Sequence, residues 1–127
     1  MADLHNKINE LYKSSKSYPD LVKNLIGIGV QSYSVEVSSG IILYRFVGGE
    51  NILHGAVSIP REISESFNRQ LVLNALKDTQ EGRTTYPEFM DDIAFAGVRF
   101  YEATLNGNNK RVTYIGIGGS YEEAIPL

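Results

Sequence analysis

Tyr18-Pro19-Asp20-Leu21-Val22, followed by Gly29-Val30 and Tyr33 to Val37, returns as Tyr86-Pro87-Glu88-Phe89-Met90, Gly97-Val98 and Tyr101 to Leu105. Tyr18 and Tyr86, Gly29 and Gly97, and Tyr33 and Tyr101 all stand 68 residues apart. Asp20/Glu88, Leu21/Phe89, Val22/Met90, Leu25/Ile93 and Val37/Leu105 are swaps of like size and polarity. A unit copied in this way folds twice and packs against its copy, so the repeat decides the fold. It says nothing of function.

The Tyr-Pro segments read as helix starts. Proline is tolerated in the first turn, where its missing N–H would lack a partner, and Asp20 or Glu88 suits the positive end of the helix dipole. Gly29 and Gly97 are expected to close these helices, because glycine takes the left-handed conformation of a helix stop. Beyond each glycine the period changes from helical to alternating. Tyr33, Val35 and Val37 fall on one side and Ser32, Ser34 and Glu36 on the other, as in a half-buried strand. Ser38-Ser39-Gly40 turns the chain into a partner strand from Ile41 to Phe46. The second copy repeats this with Val98 to Leu105, the turn Asn106-Gly107-Asn108-Asn109, and Arg111 to Ile117; its longer turn makes Tyr44 correspond to Tyr114.

Upstream, Leu4, Ile8, Leu11 and Tyr12 mark an amphipathic helix from Asp3 to about Ser15, with His5 on its polar face. Between the copies the sequence predicts an extra strand from Ile52 to Ile59 and a helix from about Ser64 to Gln80 that aligns Phe67, Leu71, Ala75 and Leu76. The expectation is one α+β domain over 1–127, with repeat units of about 1–59 and 60–127. Each unit reads helix, helix, strand, strand, and the hairpins join in a largely antiparallel sheet with helices packed on one face.

With 127 residues, 43% hydrophobic and 21% charged, the chain can bury a single core. The net charge is −3 and the twelve Lys and Arg residues are scattered, so no basic cluster invites nucleic acid. The absence of cysteine removes disulfides, thiolate catalysis and cysteine zinc sites. Neither a signal peptide nor the ~20 apolar residues of a membrane span is evident, so the expected location is cytoplasmic.

Tyr86-Pro87-Glu88-Phe89, Ala96-Gly97-Val98, Tyr101-Glu102, Val112-Thr113-Tyr114 and Ser120-Tyr121-Glu122-Glu123-Ala124-Ile125-Pro126 together resemble the YdfO-like family. These are small bacterial and prophage-encoded proteins of unknown function, some of them labelled phage envelope proteins. The resemblance is clearest over 82–126 and implies an α+β fold built by duplication, with no activity, cofactor or catalytic residue attached. The first half departs from the pattern at Ser38-Ser39 and at the apolar stretch from Ile52 to Ile59.

Candidate chemistry is sparse. Gly116-Ile117-Gly118-Gly119-Ser120 follows a strand as phosphate loops do, but Glu122 and Glu123 would repel an anion, so it reads as a loop or hairpin exit. Gly27-Ile28-Gly29 lies between helix and strand, the reverse of a dinucleotide fold, and reads as a helix stop. Glu88, Asp91 and Asp92 read as a solvated helix start rather than a metal site. His54 is the one catalytic candidate, as a general base if Glu36, Glu50 or Glu102 shares its sheet face; the other reading is a hydrogen-bonded structural histidine.

Eight tyrosines without a tryptophan give two further readings. Tyr33, Tyr44, Tyr101 and Tyr114 fill equivalent core positions, or their hydroxyls mark a wet face or pocket edge. Tyr44, Arg45, Arg99, Tyr101 and Tyr114, with Arg111 nearby, would compose a face for a protein or a small acidic ligand. Two functions follow from these readings. One is a non-catalytic binding or interaction module, without cofactor or metal, that pairs with a second copy through the exposed edge of Ile52 to Ile59. The other is a small enzyme using His54 with a nearby glutamate.

Overall fold

The computed structural model describes residues 2–55 and 59–125. The elements run α1 (Ala2–Ser14), α2 (Tyr18–Gly27), β1 (Val30–Glu36), β2 (Ile42–Phe46) and β3 (Asn51–His54), then α3 (Arg69–Gln80), α4 (Tyr86–Phe95), β4 (Val98–Thr104), β5 (Arg111–Gly116) and β6 (Gly119–Ala124). All six strands form one sheet, in the order β3-β2-β1-β4-β5-β6, and every neighbouring pair is antiparallel. The two copies meet at β1 and β4, where Ser32 faces Thr104 and Val35 faces Tyr101. The fold is α+β, as the repeat predicts.

Local chemistry starts each repeat helix. The Ser17 hydroxyl accepts a hydrogen bond from the Asp20 amide at 3.3 Å and opens α2. Thr85 opens α4 through a full capping box: its hydroxyl accepts from the Glu88 amide, and the Glu88 carboxylate accepts from the Thr85 amide at 2.9 Å. Glu88 is therefore a cap, and Thr85, three residues before it, is the other half of the signal.

Alternation along the strands sends Val30, Tyr33, Val35, Ile42, Tyr44 and Phe46 of the first copy, and Val98, Tyr101, Ala103, Val112 and Tyr114 of the second, into the core under the helices. Ile8 of α1, Val22 and Leu25 of α2, Val72 and Leu76 of α3, and Phe89, Met90 and Ile93 of α4 close it from above.

Three expectations need correction. The second copy also has a third strand: Gly116-Ile117-Gly118-Gly119 is the tight end of a β5–β6 hairpin in which Gly116 faces Gly119, with Gly118 at φ 80° turning the chain. Both copies are thus helix, helix and three strands. Helix α3 begins at Arg69 rather than Ser64, because the Asn68 side chain accepts from the Leu71 amide at 3.1 Å and caps it there. The chain before it is tied across the end of α4 without regular structure, with the Ser64 amide donating to the Ala94 carbonyl at 3.0 Å, the Phe67 amide to Ile117 at 3.1 Å and the Asn68 amide to Ala96 at 2.8 Å. The predicted strand from Ile52 to Ile59 is described as strand only over Asn51–His54; residues 56–58, with Val57, lie outside the described residues.

The crossing at Phe67 depends on missing side chains. A Cβ on Gly97, whose φ is 88°, would collide with the Ser66 carbonyl oxygen, whereas one on Gly107, at φ 79°, would meet open space. Gly97→Ala should therefore cost on the order of 3 kcal/mol or more, and Gly107→Ala about 1–2 kcal/mol from its backbone alone. Urea unfolding of the two variants measures the difference; equal costs would mean that the Ser66–Phe67 segment yields freely.

Candidate functional site

Each copy places its Tyr-Pro helix over its own first strand, so the helix tyrosine reaches down to the strand tyrosine. Tyr18 and Tyr33 join hydroxyl to hydroxyl at 2.5 Å, and Tyr86 and Tyr101 do the same at 3.4 Å. Across each hairpin the strand tyrosines also touch. Ring centroids lie 5.7 Å apart for Tyr33 and Tyr44 and 5.2 Å for Tyr101 and Tyr114, both tilted as aromatic pairs prefer. In the first copy the Tyr12 hydroxyl caps the set by bonding that of Tyr44.

Tyr18, Tyr33, Tyr86, Tyr101 and Tyr114 line a cavity of about 750 Å³ between the helices and the sheet, a volume suited to a small molecule. Tyr33, Tyr101, Tyr114 and Val112 form its buried floor. Leu76 of α3 and Phe89 of α4 form apolar walls, and Ile125 closes one end. Tyr18 and Tyr86, 40% and 52% exposed, stand at the mouth with Lys16 and Ser17, while Gln80 and Glu123 line the side.

Burial is the main cause of the tyrosines' acid-base state. It pushes Tyr12 and Tyr18 up to about 12, even though part of each ring is exposed, because the hydroxyl ends are tucked inward. Tyr33, Tyr44, Tyr101 and Tyr114 are pushed further up, with neighbouring tyrosines adding to the cost of a charge. Tyr86 is also raised by burial, against the opposing pull of the Tyr101 hydroxyl and Arg61. The cavity is thus lined with neutral hydroxyls that both donate and accept hydrogen bonds.

The face predicted from Tyr44, Arg45, Arg99, Tyr101 and Tyr114 does not come together. Tyr44, Tyr101 and Tyr114 point under the helices, whereas Arg45, one residue along β2, points to the open side of the sheet. There Arg45 pairs with Glu102 at 3.3 Å, and Arg111 pairs with Glu122 at 3.3 Å. Two of the three arginines therefore already hold carboxylates, and Arg99 stands exposed beside the β4 irregularity between Val98 and Phe100.

His54 lies on the helix side of β3. Its Nε2 bonds the Asn9 side-chain oxygen at 2.7 Å, and its ring stacks on Tyr12 at 6.0 Å. No carboxylate bonds it among the described residues, and Glu102 is engaged with Arg45 across the sheet. Asp91 holds Arg61 at 2.8 Å, and no group of three metal-ligating side chains occurs among the described residues. Sequence reasoning paired the strand tyrosines but missed Tyr18, Tyr86, Gln80 and Glu123 as cavity residues. Tyr18 and Tyr86 opened the repeat itself, and their spacing was the available signal.

Fold and cavity define an internally duplicated α+β protein that encloses a tyrosine-lined space. A family model described as Protein of unknown function (DUF1398) matches residues 6–121, and the chain belongs to that family. The match names neither YdfO-like proteins nor a phage. No curated protein matches the chain significantly. Among the described residues, no helix is long and apolar enough to cross a membrane.

The raised tyrosine values predict an alkaline limit. Folded values above the ordinary 10.0 mean that the neutral hydroxyls' contribution is complete below pH 10 and is lost as pH rises through about 12. Urea midpoints should be unaffected by these tyrosines up to pH 10 and fall above it, and tyrosinate absorbance of the buried set should rise together with unfolding. A smooth rise of that absorbance in a still-folded protein would show the hydroxyls to be open to solvent.

Proposed function

We propose that this protein is a non-catalytic binding module whose site is the tyrosine-lined cavity. The observation that supports it is the cavity itself: about 750 Å³ between two packed layers, with neutral hydroxyls at its floor and apolar walls around them. Catalysis has less support. Its candidate base, His54, is bonded to a side-chain amide and stacked on a tyrosine, an arrangement that holds a ring in place. The cavity's charged residues, Lys16 and Glu123, carry opposite signs, so the lining favours a neutral ligand over the small acidic one that arginines would attract. Native mass spectrometry of protein purified under mild conditions should find a small adduct that disappears on denaturation. Uniform bare mass, unchanged by incubation with a small-molecule extract, would contradict the reading.

Self-association is the second reading, and the sheet edges support it. Among the described residues β3 and β6 each pair on one side, which leaves main-chain groups free for a strand of another copy. Leu53 on β3 is 62% exposed, an apolar side chain that a second copy would cover. Sedimentation equilibrium should give twice the chain mass, and Leu53→Lys should reduce it to one. A wild-type protein of single mass at all concentrations would end this reading without touching the first.

A further inference from the structure

The two copies are built alike and both line the cavity, yet its far wall, at Gln80, Tyr114 and Glu123, comes from the second alone. The sheet ladders fix which residues correspond. In the first copy Tyr44 faces Ile52 and Ile42 faces His54; in the second Tyr114 faces Tyr121 and Val112 faces Glu123. Glu123 therefore takes the place of His54. On the helices above, Gln80 stands 68 residues after Tyr12 and takes its place.

The two pairs fill space differently. The Tyr12 ring lies nearly parallel to His54, 6° between planes, and its hydroxyl bonds that of Tyr44. Gln80 instead donates to the Glu123 carboxylate at 3.0 Å, two slender chains where the other copy has two rings. Tyr114, the counterpart of Tyr44, has no hydrogen-bond partner among the described residues, and it faces the cavity together with Gln80 and Glu123. Where a phenol ring stands in the first copy, the second has these two side chains at the wall of the cavity.

We infer that the cavity takes a neutral ligand bearing a hydroxylated aromatic ring, which enters the place that Tyr12 fills in the first copy and bonds the Tyr114 hydroxyl as Tyr12 bonds Tyr44. This rests on the cavity's being the binding site. Tyr12 is the internal template: its surroundings show that the repeated frame accepts a phenol at this position. A buried-floor hydroxyl without a protein partner gains from one supplied by the ligand, and the apolar walls of Leu76, Phe89 and Val112 receive the ring or whatever it carries. The volume exceeds a single ring, so the ring is one end of a larger molecule.

The test uses 4-methylphenol, the tyrosine side chain alone, with toluene as the same shape without the hydroxyl. Both are titrated by NMR into the wild-type protein, Gln80→Tyr and Tyr114→Phe. Saturable binding of 4-methylphenol is expected, roughly tenfold tighter than toluene. Tyr114→Phe should erase the preference, and Gln80→Tyr should abolish binding by restoring the ring of the first copy. Equal binding of the two probes, both excluded by Gln80→Tyr, would overturn the phenol assignment and leave the cavity as a binding site. No binding of either at millimolar concentration would overturn the assignment as well, and mass spectrometry of the purified protein would then judge the cavity separately.

Discussion

The antiparallel seam between β1 and β4 joins the two copies into one sheet, with Tyr33 against Ala103 and Val35 against Tyr101. Each three-stranded half alone would leave a seven-residue strand, apolar on its core side, unpaired at its edge, with buried side chains such as Val30, Val35, Val98 and Ala103 half covered. Pairing the two edges removes both liabilities at once. It also sets the two Tyr-Pro helices over neighbouring strands, which is why Tyr18 and Tyr86, far apart in sequence, stand at one cavity mouth.

Tyrosine suits this seam for a reason phenylalanine would not meet. A buried hydroxyl is costly unless it is bonded, and the fold satisfies most of these hydroxyls against each other in helix-to-strand pairs. Each pair fixes how far its helix sits above the sheet. The aromatic bodies supply the packing, and the hydroxyl pairs supply a spacing wide enough to leave room between layers.

Much of the fold was legible in the residues. The 68-residue repeat gave the α+β architecture, and Pro19, Asp20, Gly29 and their counterparts Pro87, Glu88 and Gly97 marked helix ends by their own chemistry. What escaped was decided by tertiary contacts or by glycine. The stretch Gly116 to Gly119 was glycine-rich enough to hide a hairpin turn, although Tyr121, Glu123 and Ile125 alternate beyond it with Ser120, Glu122 and Ala124. Phe67 continued the helical spacing of Leu71 and Ala75, but hydrogen bonds to the end of α4 and to Ile117 draw its backbone away from a helix. The site escaped for another reason. Arg45 and Tyr44 were read together because they are neighbours in sequence, and strand alternation puts them on opposite faces. The far wall of the cavity lies where the copies differ, at Gln80 and Glu123, while the repeat was recognised from where they agree.

Such divergence after duplication is a simple way to make a cavity without unsettling a core, since one copy keeps the packed solution while the other loses ring volume. The claim that the position above Tyr114 is open is tested most directly by the stability of Gln80→Tyr without any ligand. Equilibrium urea unfolding should find this variant at least as stable as wild type, because the new ring buries itself in existing space and its hydroxyl gains Tyr114 as a partner, at the loss of an exposed bond to Glu123. A destabilisation of on the order of 2 kcal/mol, the usual result of forcing a ring into a filled site, would mean that the second copy is as full as the first and that the account is wrong.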